Sequence, residues 1–255
     1  MGRSVLRPYM FVARHKVRRR FFVPQFTGDR AVMHGEAAHH VGRVLRAQPG
    51  QVYELSDGST VRMGRVENVT RDEVEFALME VVPSNQPAVH TTLLLAIVKF
   101  DAFEWALEKA TELGVGAIVP VAAARSEKGL IAGSAKRAER WQKILAGASE
   151  QSRRVRIPEL SESVRPADAF RATNAELKIL LSERPTAPAL RQALTAAPRP
   201  ARVALAIGPE GGWTDEEFAA ALRAGFDETS MGKLILRTET AVTAALASLN
   251  FALED

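Results

Sequence analysis

The sequence predicts a parallel α/β fold preceded by a small antiparallel β unit, and three features predict it. Four continuous apolar runs, Thr92–Val98, Ala117–Val121, Leu177–Leu181 and Val203–Ile207, alternate with helical patterns. Such runs suit strands covered on both faces. Upstream of them, apolar residues alternate with polar ones between tight-turn signals. The two regimes meet at Pro83-Ser84-Asn85-Gln86-Pro87, which has the composition of a linker.

Taken in order, the chain opens on a basic stretch. Between Met1 and Gly28 there is no Asp or Glu, while Arg3, Arg7, Arg14, Lys16, Arg18, Arg19 and Arg20 are cationic. This composition resembles a transit peptide, and Arg18-Arg19-Arg20-Phe21-Phe22 is faintly like a twin-arginine signal. The following Val23-Pro24-Gln25-Phe26-Thr27-Gly28-Asp29 is no apolar core, which argues against export. Two readings stand level: an arm that contacts phosphates, and a frayed, solvated terminus, which a start codon placed upstream of Met10 would lengthen. Next come short strands. Val52, Glu54 and Leu55 precede Asp57-Gly58; Val61, Met63 and Val66 precede Arg71-Asp72; Val74, Phe76 and Leu78 follow. Between His34 and Gln48, residues Ala37, Ala38, Val41, Val44 and Leu45 recur at helical spacing before Pro49-Gly50.

Beyond the linker, Asp101 with Glu104 makes a capping-box-like helix start, and Phe103, Leu107, Ala110 and Leu113 line one face before Gly114. Arg184 to Pro200 reads as a loop with one short helix. Thr214 with Glu217 forms a second capping box, and an Ala-rich helix reaches Leu253.

With 255 residues and 46% hydrophobic content the chain can bury a core, and 25% charged residues argue against wholesale disorder. No run approaches the ~18 apolar residues of a membrane-spanning helix. The absence of cysteine excludes disulfides, a thiolate nucleophile and Cys-ligated zinc, and fits a cytoplasmic location. Net charge is +4. No GxSxG elbow, HExxH motif or two-carboxylate pattern is present. His39 and His40 make a poor metal pair, because adjacent side chains diverge and no third ligand is in register; no metal is expected.

Two segments carry chemistry. Ile207-Gly208-Pro209-Glu210-Gly211-Gly212-Trp213-Thr214 links a buried strand to a capped helix. Its glycines allow a tight turn and let a ligand approach bare backbone, beside unpaired N–H groups at the helix start. A plain strand-to-helix turn is the alternative. No Lys-Ser/Thr follows, so this is no P-loop, nor is it a dinucleotide fingerprint. In the second segment, Met231-Gly232-Lys233-Leu234-Ile235-Leu236 delivers Arg237, Thr238, Glu239 and Thr240 to the last helix. Thr238 or Thr240 can cap it, and Glu239 suits its positive end; capping gives no reason for Arg237.

These segments, with their spacing, resemble the RsmE-type 16S rRNA (uracil-N3)-methyltransferases of the SPOUT superfamily, whose signatures are a Gly-Pro-Glu-Gly-Gly loop and a Leu-Arg-x-Glu-Thr-Ala loop. The resemblance runs from about Arg20 to the C-terminus. It includes Arg20-Phe21-Phe22-Val23, His39-His40-Val41-Gly42-Arg43-Val44-Leu45-Arg46 with the Asp57-Gly58 turn, Glu108 to Val115, and Glu150-Gln151-Ser152-Arg153-Arg154. Two positions depart from it: many relatives carry Arg at Leu234 and a second basic residue at Ala102.

The resemblance implies a basic extension (1–19), a PUA-like β-barrel RNA-binding domain (20–84), and a SPOUT methyltransferase domain (85–255) with a C-terminal trefoil knot that dimerises. It implies S-adenosyl-L-methionine as cofactor, held mostly by backbone. The carried-over walls run Leu180 to Glu183 (Leu180, Leu181, Glu183), Ile207 to Gly212 (Ile207, Gly208, Pro209, Glu210, Gly211, Gly212), and Met231 to Thr240 (Met231, Leu234, Leu236, Thr238, Thr240). The implied partner is 16S rRNA, within the assembled small ribosomal subunit. Candidate RNA contacts are Arg18, Arg19, Arg20, His39, His40, Arg43, Arg46, Arg125, Arg153 and Arg154; each alone also reads as a solvated surface residue. Of the two histidines, one is expected in the barrel core and the other facing RNA.

Methylation at uracil N3 requires in-line alignment of nitrogen, methyl and sulfur, and loss of the N3 proton. A cation stabilises the developing uracil anion, a task that falls to Arg237; Glu239 is the candidate proton acceptor. The target base must be unpaired or extruded, since pairing occupies N3. Three rival readings stay open: a non-catalytic RNA-binding or ribosome-assembly factor of this fold, a tRNA-modifying SPOUT enzyme, and a nucleotide-using transferase with the glycine loop as phosphate cradle.

Overall fold

A computed structural model of the chain describes residues 19–84, 86–196 and 199–253. Arg18 and the rest of the basic stretch before it lie outside the described residues. The chain divides into two compact units at Val82/Pro83, with the Asp57–Thr60 turn grouped with the second.

The first unit contains β1 (Arg20–Phe22), β2 (Phe26–Thr27), β3 (Arg30–His34), β4 (Val52–Ser56), β5 (Val61–Val69) and β6 (Glu73–Val81). They form one sheet in the order β1-β4-β5-β6-β3-β2, antiparallel except for the β1–β4 pair. The expected strands correspond to β4, β5 and β6. Register shifts between Arg62/Gly64 and Val66/Asn68 explain why the apolar spacing in β5 changes from two to three after Met63. Gly64 sits where a Cβ would lie 2.4 Å from Leu55 Cδ1, so a side chain there would have to displace Leu55.

Between β3 and β4, α1 (Gly35–His39) runs into a π-helical turn, His40–Val44. Ala38 and Val41 turn inward and pack with Phe21, Leu55, Val74 and Phe76. Both His39 and His40 are exposed, which corrects the expectation that one of them packs in the core. The inward positions of this segment are already filled by small and β-branched residues.

The second unit holds β7 (His90–Ala96), β8 (Ala117–Val121), β9 (Glu159–Leu160), β10 (Leu177–Leu181), β11 (Arg202–Ile207) and β12 (Asp227–Thr229). These pair in the order β12-β10-β11-β7-β8-β9, every neighbour parallel. Its helices are α2 (Phe100–Glu112), α3 (Lys128–Ser134), α4 (Ala138–Gln151), α5 (Pro166–Ala172), α6 (Leu190–Ala196), α7 (Asp215–Arg223) and α8 (Thr238–Leu253). The apolar runs are continuous because both sheet faces are covered. On one face Leu93, Leu95, Ile179 and Leu205 meet Phe103, Leu107, Trp141 and Leu246 of α2, α4 and α8. On the other, Leu94, Leu180 and the small Ala96, Ala204 and Ala206 meet Phe170 and Phe218 of α5 and α7.

Helix punctuation agrees with expectation in two places and departs in one. Gly114 ends α2 at φ +92°, and Asn250 Nδ2 donates to the Leu113 carbonyl at 2.9 Å. Thr214 and Glu217 form the expected reciprocal cap of α7. At α2, however, the helix begins at Phe100 with no side-chain cap. Glu104, 8% exposed, accepts from Arg140 Nε at 2.8 Å and Arg137 Nη1 at 3.3 Å instead. A nearly buried carboxylate facing two guanidiniums gains more from them than from its own backbone.

Candidate active site

The C-terminal ends of β10, β11 and β12 lie side by side, and the loops leaving them enclose a cavity of about 470 Å3. Open parallel sheets bind ligands at this edge. From β11, Gly208–Trp213 turns sharply into α7: Gly212 N–H donates to the Pro209 carbonyl at 2.8 Å, and Gly212 has φ +69°. A Cβ on Gly208 would lie 3.1 Å from the Trp213 ring. That glycine lets Trp213 fold beneath the loop, where it is 4% exposed and meets Phe170 edge-on at 5.6 Å. Trp213 Nε1 is buried without a hydrogen-bond partner.

Two sets of contacts brace the loop against the β8–α3 loop. Arg125 Nη1 donates to the Gly211 carbonyl at 2.6 Å and the Trp213 carbonyl at 3.2 Å. The Glu217 carboxylate accepts from Ala124 N–H and from Thr214 N–H, each at 2.8 Å. The β8–α3 loop and the glycine loop therefore clasp each other by reciprocal contacts. From the last segment, Thr238 Oγ1 donates to the Gly208 carbonyl at 3.2 Å, tying the start of α8 to the glycine loop.

Of the sequence-predicted wall residues, Leu181, Glu183, Ile207, Gly208, Pro209, Gly211, Gly212, Met231, Leu234, Leu236 and Thr238 line this cavity. Leu180 does not: it is 0% exposed and packs on the opposite sheet face with Phe170, since alternate strand residues point oppositely. Glu210 borders a separate, smaller cavity. Thr240 is exposed in the first turn of α8 and lines neither cavity. Arg237 and Glu239 line neither either, although Leu236 and Thr238 on both sides of Arg237 do. Among residues the sequence reading missed, Arg184 lies 3.6 Å over the Phe218 ring and bonds Asp215 Oδ1 at 2.5 Å. Nothing local marks it, because its partners come from another element.

The structure also sorts the arginines. Arg20 is 4% exposed, and its Nε and Nη2 donate to Glu54 Oε2 at 3.0 and 2.9 Å. It is corrected from an RNA contact to half of a buried cross-strand ion pair. Arg154 Nη1 donates to the Thr111 carbonyl at 2.7 Å and its Nε to the Arg156 carbonyl at 3.2 Å. Burial pulls its guanidinium down to about 10, so it stays charged while holding the end of α2. Arg19, Arg43, Arg46 and Arg153 are exposed, Arg46 and Arg153 with positive φ of +54° and +56°. In the same block, burial pushes the Glu150 carboxyl up to about 7. Among the described residues no group of His, Asp and Glu could hold a metal ion, and no helix is long and apolar enough to cross a membrane.

A parallel sheet whose glycine loop walls a cavity at its C-terminal edge defines a class of ligand-binding α/β domain. Residues 84–250 match the pattern of the RNA methyltransferase domain, and the chain belongs to that family. A ribosomal RNA small subunit methyltransferase E from Synechocystis sp. is 35% identical, the match covering 85% of this chain and 71% of that protein. One from Mycobacterium bovis is 31% identical, covering 88% and 87%. The crystal structure of the Neisseria gonorrhoeae ribosomal RNA small subunit methyltransferase E, bound to S-adenosyl methionine, superimposes with a TM-score of 0.82. It is 30% identical, with 92% of this chain and 97% of that chain covered.

Proposed function

We propose that this protein methylates N3 of a specific uridine in small-subunit (16S) rRNA, using S-adenosyl-L-methionine. The observation that carries the reading is the meeting of the glycine loop and the Met231–Thr238 segment around one cavity, joined by the Thr238–Gly208 hydrogen bond. The wall chemistry fits the cofactor. About 470 Å3 lies within the range of small-molecule sites. Ile207, Met231 and Leu236 offer apolar surface for a purine, and the loop presents backbone at Gly208, Gly211 and Gly212. The orphaned Trp213 Nε1 is a donor at the same wall. Arg184, Lys233, Glu183 and Asp215 provide both signs of charge for a zwitterionic amino-acid end.

When bound, the cofactor supplies an electrophilic methyl group on sulfur. The chain must position the base, weaken its hold on the N3 proton and exclude water. Arg237, exposed between two wall residues, is suited to stabilise the uracil oxyanion or orient the base. Glu239, two residues on and the second residue of α8, is the candidate acceptor of the N3 proton. Relatives named for small-subunit ribosomal RNA support that substrate.

The remainder of the reading follows the family. Unit one serves as a PUA-like RNA-binding barrel, spanning about residues 20–84, with His39, His40, Arg43 and Arg46 on its exposed side. The SPOUT domain, 85–255, carries a trefoil knot at its C-terminal end and forms a cytoplasmic homodimer. Arg19 and Arg153 add positive charge for phosphates. Titration calorimetry with S-adenosyl-L-methionine tests the cofactor, and nucleoside analysis of rRNA from a deletion strain tests the reaction. Loss of a single N3-methyluridine from small-subunit rRNA is expected; an unchanged nucleoside profile would overturn the proposal.

A further inference from the structure

Among the described residues, the cations lining the larger cavity are Arg125, Arg184 and Lys233, and their settings differ. Arg125 Nη1 is already committed to the Gly211 and Trp213 carbonyls. Lys233 is exposed, in an irregular segment where Leu234 and Ile235 are mostly exposed as well. Arg184, on the loop leaving β10, is held in place. Its N–H donates to Ser182 Oγ at 3.1 Å, and its carbonyl accepts from Ala187 N–H at 3.0 Å. Its Cζ lies 3.6 Å from the centre of the Phe218 ring, and Nη2 donates to Asp215 Oδ1 at 2.5 Å. Phe218 and Asp215 line the same cavity. They reach Arg184 across 31 positions or more because β10 and β11 are adjacent parallel strands, whose outgoing loops start side by side. The Asp215 side chain is 97% exposed, and so exposed an ion pair adds little to stability.

Stacking on a ring fixes the plane of a guanidinium, and a planar fork held that way is suited to a carboxylate. Asp215 takes one N–H of Arg184 and leaves the others for a ligand. We propose that Arg184 and Asp215 together read the amino-acid end of the methyl donor and make the site selective for a donor that keeps its carboxylate. Arg184 takes the α-carboxylate and Asp215 the α-ammonium group. Opposite charges held side by side match the two charges that a zwitterion carries on one carbon. The apolar Ile207, Met231 and Leu236 are left to the purine. A sulfonium donor without the carboxylate forgoes the hydrogen bonds to Arg184 and binds more weakly.

The proposal rests on the methyltransferase reading, and a pair of ligands separates the two. Titration calorimetry measures S-adenosyl-L-methionine and its decarboxylated analogue on wild type, Arg184→Ala and Asp215→Asn. Both side chains are largely exposed, so the variants keep the fold. Wild type should prefer S-adenosyl-L-methionine about tenfold, the scale of a charge-assisted contact at an exposed site. Arg184→Ala should erase that preference, weakening S-adenosyl-L-methionine about tenfold without weakening the analogue. Asp215→Asn should weaken both ligands roughly threefold, since both keep the amine. Arg125→Ala, acting through the shape of the loop, should also weaken both alike. No preference in wild type, or equal losses of both ligands in Arg184→Ala, would overturn the proposal, and so would unchanged S-adenosyl-L-methionine affinity in that variant. Unchanged binding in Asp215→Asn would overturn the half assigned to Asp215. All of these leave the methyltransferase reading intact; wild-type protein that binds neither ligand would bring down both.

Discussion

Arg125 and Gly211 stand 86 positions apart in sequence, yet Arg125 Nη1 lies 2.6 Å from the Gly211 carbonyl oxygen. A Cβ on Gly211 would come within 3.3 Å of the Arg125 side chain, so the aliphatic stem as well as the guanidinium rests on the loop. An arginine first assigned to RNA is therefore part of the wall that shapes the cavity.

Removing that support should loosen the loop without unfolding the domain. Arg125→Ala is expected to weaken S-adenosyl-L-methionine binding about tenfold by titration calorimetry, since two backbone carbonyls lose a charged donor. Unchanged affinity would show that the loop holds its shape alone.

Glu217 acts on stability more than on ligand. Its carboxylate caps α7 and holds Ala124 N–H, and the residue is 8% exposed. Glu217→Ala leaves two backbone donors without their acceptor, which costs about 2 kcal/mol. Calorimetric unfolding should register a fall in Tm of roughly 4–8 °C. A shift below a degree would refute the structural role.

For Glu150 the sign of the pH dependence is fixed by burial, which raises the carboxyl from 4.5 to about 7. Below 4.5 the group is neutral in the folded and unfolded chain alike. Between there and about 7 the unfolded chain releases a proton that the folded one keeps, so stability declines as pH rises. Glu150→Gln should therefore melt higher than wild type at about pH 8, and the difference should vanish near pH 4. Equal melting temperatures at both values would disprove it.

Arg237 is expected to separate binding from chemistry. It borders neither cavity, so Arg237→Ala should retain cofactor affinity. Single-turnover methyl transfer should nonetheless fall about a hundredfold, the effect of removing one group that stabilises developing negative charge. Near-wild-type turnover would remove Arg237 from the mechanism.

Much of the fold was legible because it depends on near neighbours. Strands β8 and β10 fall on the predicted apolar runs, and the Thr214–Glu217 cap and the Gly114 stop need only residues a turn away. The short β9 and β12 carry too few residues for a periodic signal. Three misreadings share one cause, partners supplied from elsewhere: Glu104 turns to Arg140, Arg20 to Glu54, Arg125 to Gly211.

By itself the sequence determined the alternation of buried strands and helices, and the glycine loop with its capped helix. It also placed the second loop at the start of α8. Periodicity and turn chemistry are local properties and are written in consecutive residues. Only the tertiary structure decided the order β12-β10-β11-β7-β8-β9, and with it which loops meet at one sheet edge. That order decides whether an arginine faces solvent, a carboxylate or a backbone carbonyl. It also gives two cavities a common border at Arg125 and Gly211, residues that come from two different loops.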